Sequence, residues 1–384
     1  MPAFFGLAAA ALLVLCGVHG YLAARMWQCV RWWKPQLPFW SAAVLFALAM
    51  VLMMAGFARS RLPLGGNIGH AAGVFSSWWM GVLVYLLLYC LLTDAVLLLM
   101  RVIRAIPWRM PPAVRFVSGL TAAGLTAVTL IGGVWHADHP KQIQYEVQLE
   151  GYHASSEMNI VMISDLHLGA ARSEHRLQTI VDEINAAGPD LILIAGDFFD
   201  SDFRAIRDPE RAGRLIAQLN APLGVYACLG NHDAGSTFDQ MTAFLEQSGV
   251  RLLADESVVI AEKLVLTGRL DGSPIGSTSG MRRGELDGIL PEAAQTLPVI
   301  VLDHNPSRAE SYRQQADLVL CGHTHKGQIF PGSLITGKMY AVDHGLYRRD
   351  AQSPYVIVTS GVGTWGPPMR VGTDSEINLI RLTW

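Results

Sequence analysis

A chain of 384 residues in which 51% are hydrophobic and mean hydropathy is +0.30 is too apolar for an ordinary soluble protein of two or three domains, and the excess sits in its first third. Charge divides the same way: through Val134 nine Lys or Arg and one Asp give +8, and because the whole chain is −3 the remainder carries −11. So acidic a remainder repels nucleic-acid backbones, which excludes a general DNA or RNA binder.

Four apolar stretches come first: Phe4 to Ala24, Phe39 to Ala58, Ser76 to Met100 and Phe116 to Val134. A helix needs roughly 20 such residues to cross a hydrocarbon core, so four spans are expected, with residues 1–135 as a membrane region. Asp94 is the only formal charge inside them and is expected to face the bundle interior or an interface. The first loop carries Arg25, Arg31 and Lys34, the third Arg101, Arg104, Arg109 and Arg115, and the second only Arg59 and Arg61. Loops richer in Lys and Arg stay in the cytoplasm, which places loops one and three inside and both termini outside it. A cleaved signal is the alternative for the first stretch, but that stretch lacks a basic n-region and a short h-region. Trp32-Trp33 and Trp78-Trp79 suit headgroup anchors. The expectation is a multi-pass protein of the cell inner (cytoplasmic) membrane whose residues 136–384 form an extracytoplasmic domain.

That second part alternates strands and helices. "QIQYEVQL" reads as a half-buried strand, "NIVMIS" as a buried one, Glu174 to Ala187 as a helix and "DLILIAG" as a strand. Pro209 to Leu219 is helical, "LGVYACLG" a strand, Thr237 to Gln247 helical, and "VRLL", "SVVIA", "KLVLTG", "LPVIVL", "DLVLC" and "YVIVTS" are further strands. The rhythm predicts a layered α/β fold with mixed sheets and outer helices, in which chemistry collects where strands end. Cys228 and Cys321 each close an apolar run, so buried thiols are expected rather than a disulfide.

The strand ends carry the chemistry. "VMISDLHLG" puts Asp165 and His167 past one strand, "LIAGDFFD" puts Asp197 past the next, and "ACLGNHD" puts Asn231 and His232 past the third. "IVLDHNP" adds His304, and "LVLCGHTH" adds His323 and His325, which an extended segment would aim to one side. Taken singly, an Asp or Asn after a strand is ordinarily a turn residue or helix cap. Five such strands in chain order point instead to one site. Two aspartates, an asparagine and histidines suit a pair of divalent ions, with Mn, Fe, Zn or Ni all compatible. Two ions a few ångströms apart clamp the attacking and leaving oxygens of an in-line displacement and acidify a water, the chemistry of phosphoester hydrolysis.

"DLH", "GDFFD", "GNHD", "DHNP" and "GHTH", in this order, resemble the motif set of the calcineurin-like metallophosphoesterases over roughly Met158 to Ser360. The resemblance implies a four-layer αββα sandwich after the four-helix transmembrane region. It implies a first metal on Asp165, His167, Asp197 and His325 and a second on Asp197, Asn231, His304 and His323, with Asp197 bridging. It implies that His232 stabilises the transition state, with Asn231 near the developing charge, and protonates the leaving oxygen, a task suited to an imidazole.

"GVGTWGPPMRVGTDSEI" is similar to the closing segment of a bacterial membrane-associated branch. Lys326 stands where a glycine often follows "GHTH", and Ser375 where a proline is expected. Lys326 and Arg370 are candidate phosphate or headgroup contacts with surface charge as the alternative. Trp365, Pro367 and Pro368 are either an apolar rim for a lipid or a packed turn. Arg269, Asp271, Arg282 and Arg283 receive no role. The expected function is a membrane-anchored phosphoesterase acting on phosphomonoesters or diesters, lipid headgroups among them. A nucleotide-lipid pyrophosphatase with a cytoplasmic site and a non-catalytic phosphate or metal sensor are the alternatives.

Overall fold

The structure is a computed structural model and describes residues 2–58, 66–152, 156–171, 173–273 and 282–384; Arg59 and Arg61 lie outside them. The chain divides into two compact units, Met1–Gly133 and Val134–Trp384.

The first unit is made of helices α1 (Pro2–Val30), α2 (Phe39–Phe57), α3 (Gly66–Val102) and most of α4 (Pro112–Ala137), all long and apolar enough to cross a membrane. Their packed face gathers Leu22, Phe46, Leu86, Cys90 and Ala122, while many other large apolar side chains stay exposed, as lipid-facing residues do. Arg25, expected in the first loop, lies inside α1 instead. It is buried, pairs with Asp94 at 2.9 Å and donates to Ser118 Oγ at 3.2 Å, and Tyr21 donates to Asp94 at 2.7 Å. An unpaired charge in a span costs about 3 kcal/mol on insertion scales, so α1 can run on past Ala24 because Asp94 meets the guanidinium.

The second unit begins with β1 (Lys141–Gln148) and β2 (Glu157–Ile163), followed by α5 (Ser173–Ala186), β3 (Leu191–Ala195), α6 (Pro209–Ile216), β4 (Val225–Cys228) and α7 (Phe238–Gln247). Then come β5 (Arg251–Leu252), β6 (Glu256–Ile260), β7 (Leu264–Gly268), β8 (Val299–Leu302), β9 (Leu318–Cys321), α8 (Ser333–Met339), β10 (Gly345–Tyr347), β11 (Tyr355–Val358) and β12 (Glu376–Thr383). Two six-stranded sheets result, ordered β1-β12-β2-β3-β4-β5 and β10-β11-β9-β8-β7-β6. β12, β10 and α8 were not expected from sequence.

Strand alternation builds the layers. In β3, Ile192 and Ile194 face α5 to α7, whereas Leu191, Leu193 and Ala195 face the other sheet. In β9, Leu318 and Leu320 meet the first sheet, and Val319 and Cys321 turn outward to short 3-10 turns carrying Leu286, Ala309 and Tyr312. Because both faces of these strands are covered, they read as continuous apolar runs. α5 presents Leu177, Ile180, Val181 and Ile184 along one stripe, and α6 starts at Pro209 with the Asp208 carboxylate accepting from the Arg211 N–H. The domain is thus an αββα sandwich. Register keeps the strand ends level: Ile163 pairs with Ile194, Ala195 with Cys228, and Leu302 with Leu320. The loops that follow these ends therefore emerge together.

Candidate metal centre

All eight side chains singled out from the motifs meet at that edge. Asp165, His167 and His325 form one cluster of potential metal donors and Asp197, His304 and His323 another, each with its donor atoms within 4.8 Å of one another. His167 Nε2 lies 3.1 Å from His325 Nε2, and His325 Nε2 lies 3.3 Å from Asp165 Oδ1. In the second cluster His323 Nδ1 is 3.3 Å from His304 Nε2 and 2.8 Å from Asn231 Oδ1. Asp197 Oδ2 faces both, at 3.1 Å from His304 Nε2 and 3.7 Å from His167 Nε2. His232 joins at the rim, its ring 5.1 Å from that of His167 and its Nδ1 2.6 Å from Ser201 Oγ.

The two histidines of "GHTH" reach different clusters, but not by strand alternation. His323 and His325 have φ of 71° and 49°, so the segment is a left-handed turn rather than an extended one. Asp165, His167 and Asp197 share that conformation with φ of 56°, 47° and 53°. A non-glycine residue there costs roughly 1–3 kcal/mol and persists only where surroundings hold it. They do: the His323 N–H donates to the Asp165 carboxylate at 3.1 Å, the His232 N–H to Asp197 Oδ1 at 2.8 Å, and the Gly322 N–H to the His304 carbonyl at 2.9 Å.

Chemistry of the donors argues for cations. His304 Nδ1 donates to the Ala195 carbonyl at 2.7 Å, so in the neutral ring Nε2 carries a lone pair, and that lone pair faces the Asp197 carboxylate. Positive charge between them removes the conflict. Burial opposes charge on Asp165 and Asp197, yet His325 beside the first and His304 beside the second outweigh it and hold both carboxyls well below the usual range. Burial pushes His304 down, but Asp197 more than compensates and holds it well above an ordinary histidine. His232 is pushed down to about 4, by burial against an opposing Asp197.

Comparison with known proteins decides the family. The profile described as calcineurin-like phosphoesterase matches residues 158–327. A metallophosphoesterase of Aquifex aeolicus is 32% identical over 242 residues, which cover 62% of this chain and 90% of that one. The chain belongs to the calcineurin-like phosphoesterase family. It is accordingly a metal-dependent hydrolase of phosphoester bonds. A Campylobacter jejuni metallophosphoesterase is 30% identical over 62% of each chain. A Danio rerio transmembrane protein with a metallophosphoesterase domain is 31% identical over 67% of this chain and 61% of its own. The match thus spans about three fifths of those two relatives.

Several residues around this phosphoesterase site were illegible or misjudged in the sequence. Arg370 is neither a surface charge nor a headgroup contact: it is fully buried, and its guanidinium lies 2.7, 2.9 and 2.8 Å from the carbonyls of Ser360, Gly361 and Gly363, the turn that packs on Asp165. Pro367 and Pro368 are buried as a packed turn, whereas Trp365 is exposed, with its ring 5.8 Å from His232. Arg283, left without a role, forks onto Asp303 at 3.0 and 2.6 Å and so braces the residue before His304. Asp233 accepts from the Gly230 N–H at 2.9 Å and the Phe199 N–H at 3.0 Å, tying the "GNHD" turn to the "GDFFD" turn. Its position within "GNHD" was the available signal, since a buried carboxylate between two such loops needs backbone donors.

Proposed function

We propose that this chain is a membrane-anchored phosphoesterase with a dinuclear centre, acting on phosphomonoesters or diesters. The observation that supports it is Asp197, whose Oδ2 faces one imidazole nitrogen from each donor cluster, His304 Nε2 at 3.1 Å and His167 Nε2 at 3.7 Å. A single cation would leave the other cluster with opposed lone pairs. Asp165, His167, Asp197 and His325 would hold one ion, and Asp197, Asn231, His304 and His323 the other, with Mn, Fe, Zn or Ni all suited to this mixture. Such ions supply Lewis acidity and an acidified water.

The residues of the chain supply the rest. The His232 and His323 N–H groups fix Asp197 and Asp165, and Ala195 fixes the tautomer of His304. His232 has its Nδ1 engaged by Ser201, so Nε2 is the nitrogen available to hydrogen-bond the departing oxygen, which a ring kept neutral by burial does as a donor, while the Asn231 amide sits close to the charge that develops. Residues 1–135 serve as the membrane anchor and 136–384 as the catalytic domain. With Arg25 drawn into α1, the basic excess is carried by loop three and its flanking helix ends, Arg101, Arg104, Arg109 and Arg115, and it favours the inner membrane with that domain outside the cytoplasm, where phospholipid headgroups and lipid-linked phosphates are the substrates within reach.

The test is metal analysis of the purified full chain together with turnover of bis-p-nitrophenyl phosphate in Mn, for wild type, Asp197→Ala and His232→Ala. About two ions per chain and a rate lost in both variants are expected. Equal rates in all three reject the reading.

A further inference from the structure

From β1 onward seven large apolar side chains are exposed among the described residues, and six of them, Phe330, Leu334, Ile335, Met339, Leu346 and Trp365, fall between residues 330 and 365. Single exposed apolar residues are ordinary; a concentration of them along one segment marks a contact surface. Leu334, Ile335 and Met339 are 59%, 60% and 67% exposed on α8, and Lys338 is exposed beside them. The segment is held to the metal centre. Gln328 donates to the Trp365 and Pro367 carbonyls at 2.9 and 3.0 Å and accepts from the Trp365 N–H at 2.8 Å. The Phe330 N–H bonds the Val371 carbonyl at 2.8 Å, and Thr336 donates to Asp343 at 2.9 Å. Just past α8, the Tyr340 ring stands 6.1 Å from that of His323, while Trp365 stands 5.8 Å from His232. The apolar surface therefore begins at the rim of both donor clusters.

We propose that α8 with Phe330 and Trp365 is an interfacial element that enters the headgroup region of a bilayer containing anionic phospholipid and brings phosphoesters there to the metal centre. Three observations select a lipid surface. The same chain carries four helices able to cross a membrane, and only Asp138, His139 and Pro140 separate α4 from β1. Leu, Ile, Met and Phe with a flanking Trp and an exposed Lys are the composition of segments that lie in an interface. The exposed Lys338 matches anionic headgroups in sign. The role in substrate delivery rests on the phosphoesterase reading above; insertion does not.

The experiment uses the full chain with Cys16→Ser, to remove an exposed thiol, in nanodiscs holding one copy and phosphatidylglycerol. Met339→Cys is labelled with an environment-sensitive fluorophore, and Val259→Cys, an exposed apolar position outside this segment, is the control. Acyl-chain-brominated lipid is expected to quench the label at 339 on the order of threefold more than at 259, because an interfacial helix buries its apolar face to the acyl boundary. Equal quenching overturns the proposal, as does shielding at 339 that requires a second copy or an added protein. In parallel, Leu334→Glu, Ile335→Glu and Met339→Glu combined should lower hydrolysis of phospholipid headgroups about tenfold and leave bis-p-nitrophenyl phosphate turnover unchanged. Undiminished lipid turnover refutes the delivery role. Quenching at 339 with no lipid turnover by the wild type keeps the docking surface and removes lipids from the proposed substrates.

Discussion

A single methyl group on Gly230 tests whether the donor geometry of the site controls its chemistry. Gly230 does not use left-handed backbone, so alanine brings no dihedral strain there. Its Cβ would instead fall onto Asp197 Oδ1, 2.5 Å from the Asp197 nitrogen and 2.7 Å from its Cγ, whereas ordinary contacts begin near 3.4 Å. Relief requires the two loops to part by about 1 Å, at an overpacking cost of about 1–3 kcal/mol. The same movement displaces Asp197 from His304 and breaks the His232 N–H bond, and a misplacement of about 1 Å costs on the order of a hundredfold in rate. Gly249→Ala is the control: its φ of 78° penalises alanine by about 1–2 kcal/mol, but nothing lies within 4 Å of the added carbon. The assay compares metal content, bis-p-nitrophenyl phosphate turnover and thermal midpoint of both variants. Gly230→Ala should lose metal and activity, Gly249→Ala only midpoint. If the two lose activity in equal proportion to their lost stability, or if Gly230→Ala keeps its ions and rate, the coupling of this turn to the centre is refuted.

His232→Asn should lower kcat by about 10²–10³-fold with metal content unchanged, by analogy with other positioned donors to a reacting oxygen, and loss of ions instead would move His232 into the donor set. Arg370→Met removes the donor for the Ser360, Gly361 and Gly363 carbonyls, an expected loss on the order of 3 kcal/mol. That corresponds to a midpoint about 6–12 °C lower for a unit of this size, read by circular dichroism in detergent. Glu376 is buried, which raises its carboxyl, but His344 at 2.8 Å and then the Ser360 N–H outweigh burial and hold it below its ordinary value. A depressed folded-state value adds stability above the unfolded value of about 4.3, lost as pH falls through the folded one. Glu376→Gln should therefore flatten the fall in midpoint between about pH 5 and 3, and an unchanged slope would remove the pair from the acid response.

What the sequence made legible is what local chemistry dictates. Apolar runs such as "LILIA" announce strands covered on both faces, and "GD", "GNHD" and "GHTH" at their ends announce loops that converge once those ends are level. β12 stayed hidden because polar Glu376 and Asn378 occupy buried positions in its first half and its partners, β1 and β2, lie more than 200 residues earlier in the chain. α8 has seven residues and no packed stripe, so periodicity could not find it. Arg25 and Arg370 were misjudged for one shared reason. A sequence displays a guanidinium's charge but not the carboxylate or carbonyls that allow its burial, Asp94 in one case and the 360–363 turn in the other.

The left-handed backbone at Asp165, His167, Asp197, His323 and His325 carries the last step, since none of the five is a glycine and each adds strain. Backbone N–H groups of the same loops point inward and land on carboxylates: His232 on Asp197, His323 on Asp165, Gly230 and Phe199 on Asp233. The acids are thus oriented by peptide dipoles that cannot rotate away, which fixes donor positions independently of any cation. Packing three carboxylates so closely leaves a shortage of positive charge. Asp233 registers it, pushed up to about 7 by burial and then by Asp197, and His304 registers it from the other side, held above its ordinary value by the same Asp197. A fold that keeps strained loops, converging carboxylates and lone pairs turned toward one another is storing a demand that bound metal satisfies more fully than protons can, because a metal ion faces several donors at once and a proton only two.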